Sequence, residues 1–281
     1  MSDAPEQLTI EAGGVTLSGE RAGEGIPVVL LHGLTATRRY VVMGSRALER
    51  SGHLVVFYDA RGHGRSSPAP QPNAYGYELL ADDLVAVLNE LGLERAVLAG
   101  ASMGAHTALA LTLSAPERVA GLALITPSFD PENPRLPAEL DRWDALARGL
   151  REGGVEGFVD AYELDGVPEA WRETVETVLR QRLTAHEHPL AVADALEAVP
   201  RSRPFERFDQ LTALRAPTVV VASRDEADPG HPLAVAERYG AAIPSARLVV
   251  EEPAEPARSP LAWQGGQLSR VIAELAARAE S

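Results

Sequence analysis

Apolar positions along the chain recur with two periods, and the two alternate from one end to the other. QLTIEA (7–12) and VTLSGERA (15–22) alternate apolar with polar residues on either side of Gly13-Gly14, which predicts an antiparallel hairpin. PVVLLHG (27–33) and HLVVFYDA (53–60) are almost continuously apolar, as strands are when both faces of a parallel sheet are covered. RAVLAG (95–100), VAGLALIT (119–126), PTVVVAS (217–223) and ARLVVEE (246–252) follow in the same style. Between them the spacing becomes helical in YELLADDLVAVLNELG (77–92), SMGAHTALALTLSA (102–115), HPLAVAERYGAAI (231–243) and QLSRVIAELAARA (267–279). Strand and helix in alternation predict an α/β protein with a doubly wound, mostly parallel sheet.

One segment breaks the rhythm. From about Pro127 to Leu211 the sequence holds helical stretches such as AELDRWDALARGL and EAWRETVETVLRQRL, and no strand pattern. It opens with the proline-rich SFDPENPRLP (128–137). The expected organisation is a core of residues 1–126 and 212–281 carrying a helical lid of residues 127–211. Trp143, Phe158 and Trp171 suit a lid that lines an apolar pocket, although aromatic residues at helical spacing also build ordinary cores.

Composition narrows the chemistry. A chain of 281 residues with a formal charge of −14 is not built to meet nucleic acid or anionic membrane, so the expected partner is a small molecule, with self-association into a homodimer left open. All 26 basic residues are arginine, which excludes lysine Schiff bases and a Ser-Lys dyad. The absence of cysteine excludes disulfides and thiolate chemistry. MSDAPEQLTIEAGG has no apolar core of the kind a signal peptide needs, so a cytoplasmic location is the default expectation. No metal-ligand spacing, phosphate-binding loop or dinucleotide fingerprint is present, and no metal or cofactor is expected.

Three stretches fall in order: LLHGLT (30–35), DARGHGRS (59–66) and GASMG (100–104). With the helical insertion they resemble the α/β-hydrolase family, in particular its small esterase and cofactor-free peroxidase branch, from about Pro27 to the C-terminus. Gly-x-Ser-x-Gly between a strand and a helix puts Ser102 on a sharp turn at the sheet's carboxyl edge, ready to act as a nucleophile. The Met103 N–H at the helix start faces a developing oxyanion, and the resemblance makes Leu34 N–H the second donor. The resemblance also places a carboxylate after PTVVVAS. Asp228 is favoured by the run DPGHP, with Glu226 and then Asp225 as alternatives.

The family pattern then fails. Where it expects a histidine, after the last strand, the sequence reads EEPAEPARSPLAW with Arg258 in that place. Arginine stays protonated and cannot be a general base, though its planar fork suits a ligand carboxylate or Asp228. The base must then come from elsewhere or Ser102 is idle. Of seven histidines, His32 is structural by resemblance, His63 braces its loop, His53 opens a strand at the sheet's far edge and is expected on the surface, and His106 packs along its helix. His186 and His188 reach the site only if the insertion folds down. His231, three residues after Asp228, is the best substitute base. The expected activity is serine hydrolysis of small apolar carboxylic esters or related acyl compounds. The competing readings are a silent ligand-binding fold, or a lyase, isomerase or cofactor-free oxygenase on the same scaffold.

Overall fold

The computed structural model describes residues 4–133, 137–164, 167–224, 230–251 and 265–279. Eight strands form one sheet: β1 (Glu6–Ala12), β2 (Val15–Ala22), β3 (Ile26–Leu31), β4 (His53–Tyr58), β5 (Ala96–Ala101), β6 (Val119–Ile125), β7 (Thr218–Ala222) and β8 (Ala246–Val250). Their spatial order is β1-β2-β4-β3-β5-β6-β7-β8. The β1–β2 hairpin is antiparallel, with Ile10 opposite Leu17, and β2 runs antiparallel to β4. From β4 onward every neighbouring pair is parallel. Consecutive parallel strands need helical crossovers, and these are α1 (Ala47–Arg50), α2 (Tyr77–Glu90), α3 (Met103–Ser114) and α7 (Leu233–Ala242). The chain also carries α8 (Gly265–Ala279) and, between β6 and β7, α4 (Pro137–Ala161), α5 (Glu169–Thr184) and α6 (Pro189–Ala198).

The near-continuous apolar runs are explained by burial on two faces. Within β3, Val29 and Leu31 belong to one core with Leu84, Leu88 and Ala108 of α2 and α3 and Tyr239 of α7. Val28 and Leu30, pointing the other way, pack with Leu48 of α1 and Leu268, Ile272 and Leu275 of α8. The central strand β3 therefore alternates between two cores, whereas β1 at the sheet's edge alternates between core and water.

His53 departs from its expected place. It is buried, because β4 lies inside the sheet with the hairpin as the true edge, and its Nδ1 sits 3.1 Å from both Leu48 O and Ser51 Oγ. The strand run itself gave no sign that β2 would pair outside β4.

Between β6 and β7 the described residues form helices and 3₁₀ turns and contribute no strand. Leu146, Leu150, Phe158, Leu179, Leu183 and Val192 bring α4, α5 and α6 together in a small core of their own. From Phe205 the chain rejoins the sheet, where Phe205, Phe208, Leu211 and Leu214 enter the core beneath α7.

The turn from β5 into α3 leaves no room for side chains on its two glycines. A Cβ built on Gly104 would stand 2.2 Å from Leu31 O and 2.8 Å from His32 O, and one on Gly100 would stand 2.2 Å from Gly104 O. All of these are backbone atoms, which no rotamer change can move aside. The predicted consequence is that Gly104→Ala exceeds the ~1–3 kcal/mol typical of an overpacked core. Gly266→Ala, in α8 with open space around its Cβ, should be neutral or stabilising by about 0.5–1 kcal/mol. Urea denaturation of the two variants checks this, and a Gly104→Ala protein of native stability would contradict the close approach.

Candidate active site

Ser102 stands at that turn. Its φ of 50° and ψ of −111° lie outside the regions that residues with a side chain ordinarily adopt. The conformation is held from both sides: Ser102 N–H donates to Ile125 O of β6 at 2.9 Å, and Ser102 O accepts from His106 N–H at 3.1 Å. The side chain is thereby carried off the end of β5 and left partly exposed.

His231 meets it. Nε2 of His231 is 2.9 Å from Ser102 Oγ, across 129 positions of sequence. His231 lies just before α7, whose helix begins at Leu233. Because β5, β6 and β7 are parallel neighbours, the loops leaving β5 and β7 emerge on the same carboxyl edge of the sheet. With the proton on Nδ1, Nε2 accepts the serine hydroxyl hydrogen, which is the relation of base to nucleophile.

The expected oxyanion donors flank the serine. Met103 is the first residue of α3, where a backbone N–H has no carbonyl four residues back to receive it. On the other side, Gly33 packs against the elbow, since a Cβ there would meet Ser102 Cβ at 3.6 Å. Leu34 is the second residue of a turn closed by Ala36 N–H to Gly33 O at 3.0 Å. Asp225, Glu226, Asp228 and Arg258 lie outside the described residues.

The other histidines make contacts elsewhere. His32 donates through Nδ1 to Gly33 O at 2.8 Å and accepts Ala60 N–H on Nε2 at 2.9 Å. His106 is buried as expected; its Nε2 accepts the N–H groups of Ser128 and Phe129, each at 3.2 Å, which fixes the chain as it leaves β6. His188 precedes α6, with its carbonyl receiving Ala191 N–H at 3.0 Å. His186 does reach down, but to Gly64 N–H and Thr35 O rather than to Ser102. His63 lies between His32 and His186, with ring centroids 5.2 and 5.6 Å away. Its Nδ1 donates to Arg61 O at 2.9 Å, and its buried Nε2 has no partner among the described residues.

Two buried ionic groups brace these loops and were not legible in the sequence. Arg38 pairs with both Asp59 and Glu20, and Asp59 also accepts Arg38 N–H at 2.9 Å and Arg65 N–H at 3.1 Å. Arg61 and Asp83 form a two-pronged pair with both contacts at 2.7 Å. Asp59 was visible only as the first letter of DARGHG. Its ion-pair partner Arg38 comes from a 3₁₀ turn, 21 positions away, and Arg38 in turn reaches Glu20 of β2, at separations no local pattern encodes. Among the described residues no cluster of three or more His, Asp or Glu could hold a metal ion, and no helix is long and apolar enough to cross a membrane.

Comparison with known proteins establishes the family. A sequence model described as alpha/beta hydrolase fold matches residues 26–257, so the chain belongs to the α/β-hydrolase family and is a hydrolase-like enzyme. Among its relatives, a 2-hydroxy-6-oxononadienedioate/2-hydroxy-6-oxononatrienedioate hydrolase of Pseudomonas putida is 32% identical over 81% of this chain and 80% of its own. A putative carbamate hydrolase, RutD, of Variovorax paradoxus is also 32% identical, over 73% of this chain and 75% of its own. A solved thermophilic esterase from Thermogutta terrifontis superposes with a TM-score of 0.79 at 26% identity, covering 98% of this chain and all 100% of the other.

The histidine group sets an acid limit on stability. Burial holds the pKa of His32 and His63 below the ordinary value, and that of His186 down to about 4. In the unfolded chain each titrates near 6.5, so below that pH the unfolded state takes up protons that the folded state refuses. Stability is therefore full above about pH 6.5 and falls as the pH drops toward the folded values, by up to roughly 1.4 kcal/mol per pH unit for each histidine. Urea denaturation of wild type and His63→Gln between pH 7.5 and 5 should show a shallower slope for the variant. Parallel slopes would contradict a neutral His63.

Proposed function

We propose that the protein is a serine hydrolase in which Ser102 is the nucleophile and His231, displaced from the family's usual position, is the general base. The observation that carries this is the 2.9 Å contact between His231 Nε2 and Ser102 Oγ at a strained strand–helix turn. A serine held at high-energy backbone angles and hydrogen-bonded to an imidazole has little structural purpose, while catalysis needs both.

In this reading, Ser102 Oγ attacks a carbonyl carbon as His231 Nε2 takes the hydroxyl proton. The tetrahedral oxyanion is held by the N–H groups of Met103 and Leu34. His231 then returns the proton to the departing alcohol, leaving an acyl-serine. Water, deprotonated by the same imidazole, attacks the acyl carbon and releases the acid and the free enzyme. The carboxylate that orients His231 is assigned from the sequence to Asp228, and Arg258 to a ligand carboxylate or to Asp228. The helical segment of residues 127–211 is the lid: Ala191 and Ala195 of α6 share an apolar cluster with Met103, and Leu34 packs against both that cluster and the helices' own core. Apolar surroundings at both oxyanion residues favour a small apolar ester. The relatives named as acting on oxo-dienedioates and carbamates widen the class to related acyl compounds.

On short p-nitrophenyl esters, Ser102→Ala should abolish turnover and labelling by a fluorophosphonate. His231→Ala should lower kcat by roughly 10²- to 10⁴-fold, the usual worth of a general base. Mass spectrometry placing the label on a residue other than Ser102, or a His231→Ala enzyme of native kcat, would refute the assignment.

A further inference from the structure

We propose that His186, from the helical segment, is a positioning residue that holds the oxyanion loop in its working conformation; this rests on the serine-hydrolase reading above. His186 lies in the short connection between α5 and α6, far in sequence from the loops it joins. Its ring is a two-ended connector. Nδ1 accepts Gly64 N–H at 2.8 Å, and Nε2 donates to Thr35 O at 3.0 Å. The backbone of the next residue repeats the attachment, with Glu187 N–H donating to Gly64 O at 2.8 Å.

Thr35 is where such a hold is needed. Its φ is 68°, in the left-handed region that a β-branched residue avoids. It occupies the third position of the turn closed by Ala36 N–H to Gly33 O, which in a type II turn demands a positive φ and is normally filled by glycine or asparagine. The conformation therefore persists only if its surroundings over-determine it. Two contacts do so: the Thr35 carbonyl is pinned by His186, and the following Arg38 N–H is pinned by Asp59. Leu34, whose N–H faces the oxyanion in this reading, sits one residue before Thr35. When the Thr35 carbonyl is released, the turn is free to relax toward negative φ, and the Leu34 N–H moves with it.

The neutral ring suits the task. Only a neutral imidazole donates at one nitrogen and accepts at the other, and His186 is buried, with the His63 ring steeply inclined to it at a centroid distance of 5.6 Å. An amide side chain offers the same pairing, a carbonyl oxygen beside an N–H donor at closely similar spacing, so glutamine is the conservative replacement.

An oxyanion donor acts mainly in the transition state, so its misplacement lowers kcat and leaves KM nearly alone. Deleting a donor outright costs roughly 10²–10³ in kcat, which bounds the effect from above. The full-length enzyme and its H186A, H186F, H186Q and S102A variants are compared on p-nitrophenyl butyrate and in the rate of fluorophosphonate labelling, with folding checked by circular dichroism at the assay temperature. The expected result is a fall of about tenfold or more in kcat and in labelling rate for H186A, with KM within about threefold, and recovery of most of the loss in H186Q. H186F keeps the ring's packing without its hydrogen bonds and should fall as far as H186A, so it decides the matter if H186A does not fold. Native kcat in a folded H186A or H186F overturns the proposal, as does a loss confined to KM, a loss that follows the unfolded fraction, or an H186Q as slow as H186F. If S102A retains turnover, or the wild type is not labelled at Ser102, the serine-hydrolase reading itself fails.

Discussion

The site depends on the absence of two methyl-sized groups. Gly100 and Gly104 let the start of α3 lie directly on the carbonyls of Leu31 and His32, and only that contact permits the chain to reverse within one residue. The residue at the apex, Ser102, has no room for an ordinary conformation and is pushed off the sheet edge into a left-handed one. The same packing sets the oxyanion loop against the elbow, since Leu31 and His32 lead directly into Gly33 and Leu34. The proposed nucleophile and the proposed donors are thus positioned by a single backbone contact.

Around this contact the loops are tied by groups that must stay in one charge state. Asp59 and Arg38 are both nearly inaccessible to water, and removing one partner of such a pair typically costs about 3–5 kcal/mol because the other is stranded. His32 and His186 must stay neutral for their lone pairs to accept the N–H groups of Ala60 and Gly64. Ionic and neutral contacts together join four separate stretches: β2, the loop after β3, the loop after β4 and the connection between α5 and α6. The helical segment is thereby attached to the sheet at the loops that matter for the proposed chemistry, and not merely laid over them.

The proposed base illustrates how this fold allows rearrangement. In a parallel sheet, every loop leaving a strand's carboxyl end reaches the same rim. The loop after β7 can therefore serve the same rim as the loop after β8, and here it presents His231 to Ser102. In the proposed reading, the Arg258 that the sequence puts where the family resemblance expects a histidine and the His231 beside Ser102 are two parts of one exchange, which the adjacency of β5, β6 and β7 permits.

Local pattern was enough for the elements and for the elbow. The hairpin, the parallel strands and the flanking helices follow from period-two and helical spacing, because burial acts on successive side chains of one segment. Ser102 was legible for the same reason: its two glycines lie two residues away on each side. His231 was legible as a candidate by elimination, while its distance from Ser102 was not, since the contact spans 129 residues. His53 was misplaced because strand order, not strand content, decides which strand is the edge. The reach of His186 and the partners of Asp59 were invisible for a related reason. A hydrogen bond between distant loops leaves no period in the sequence; it exists only once the sheet has brought the loops to one rim.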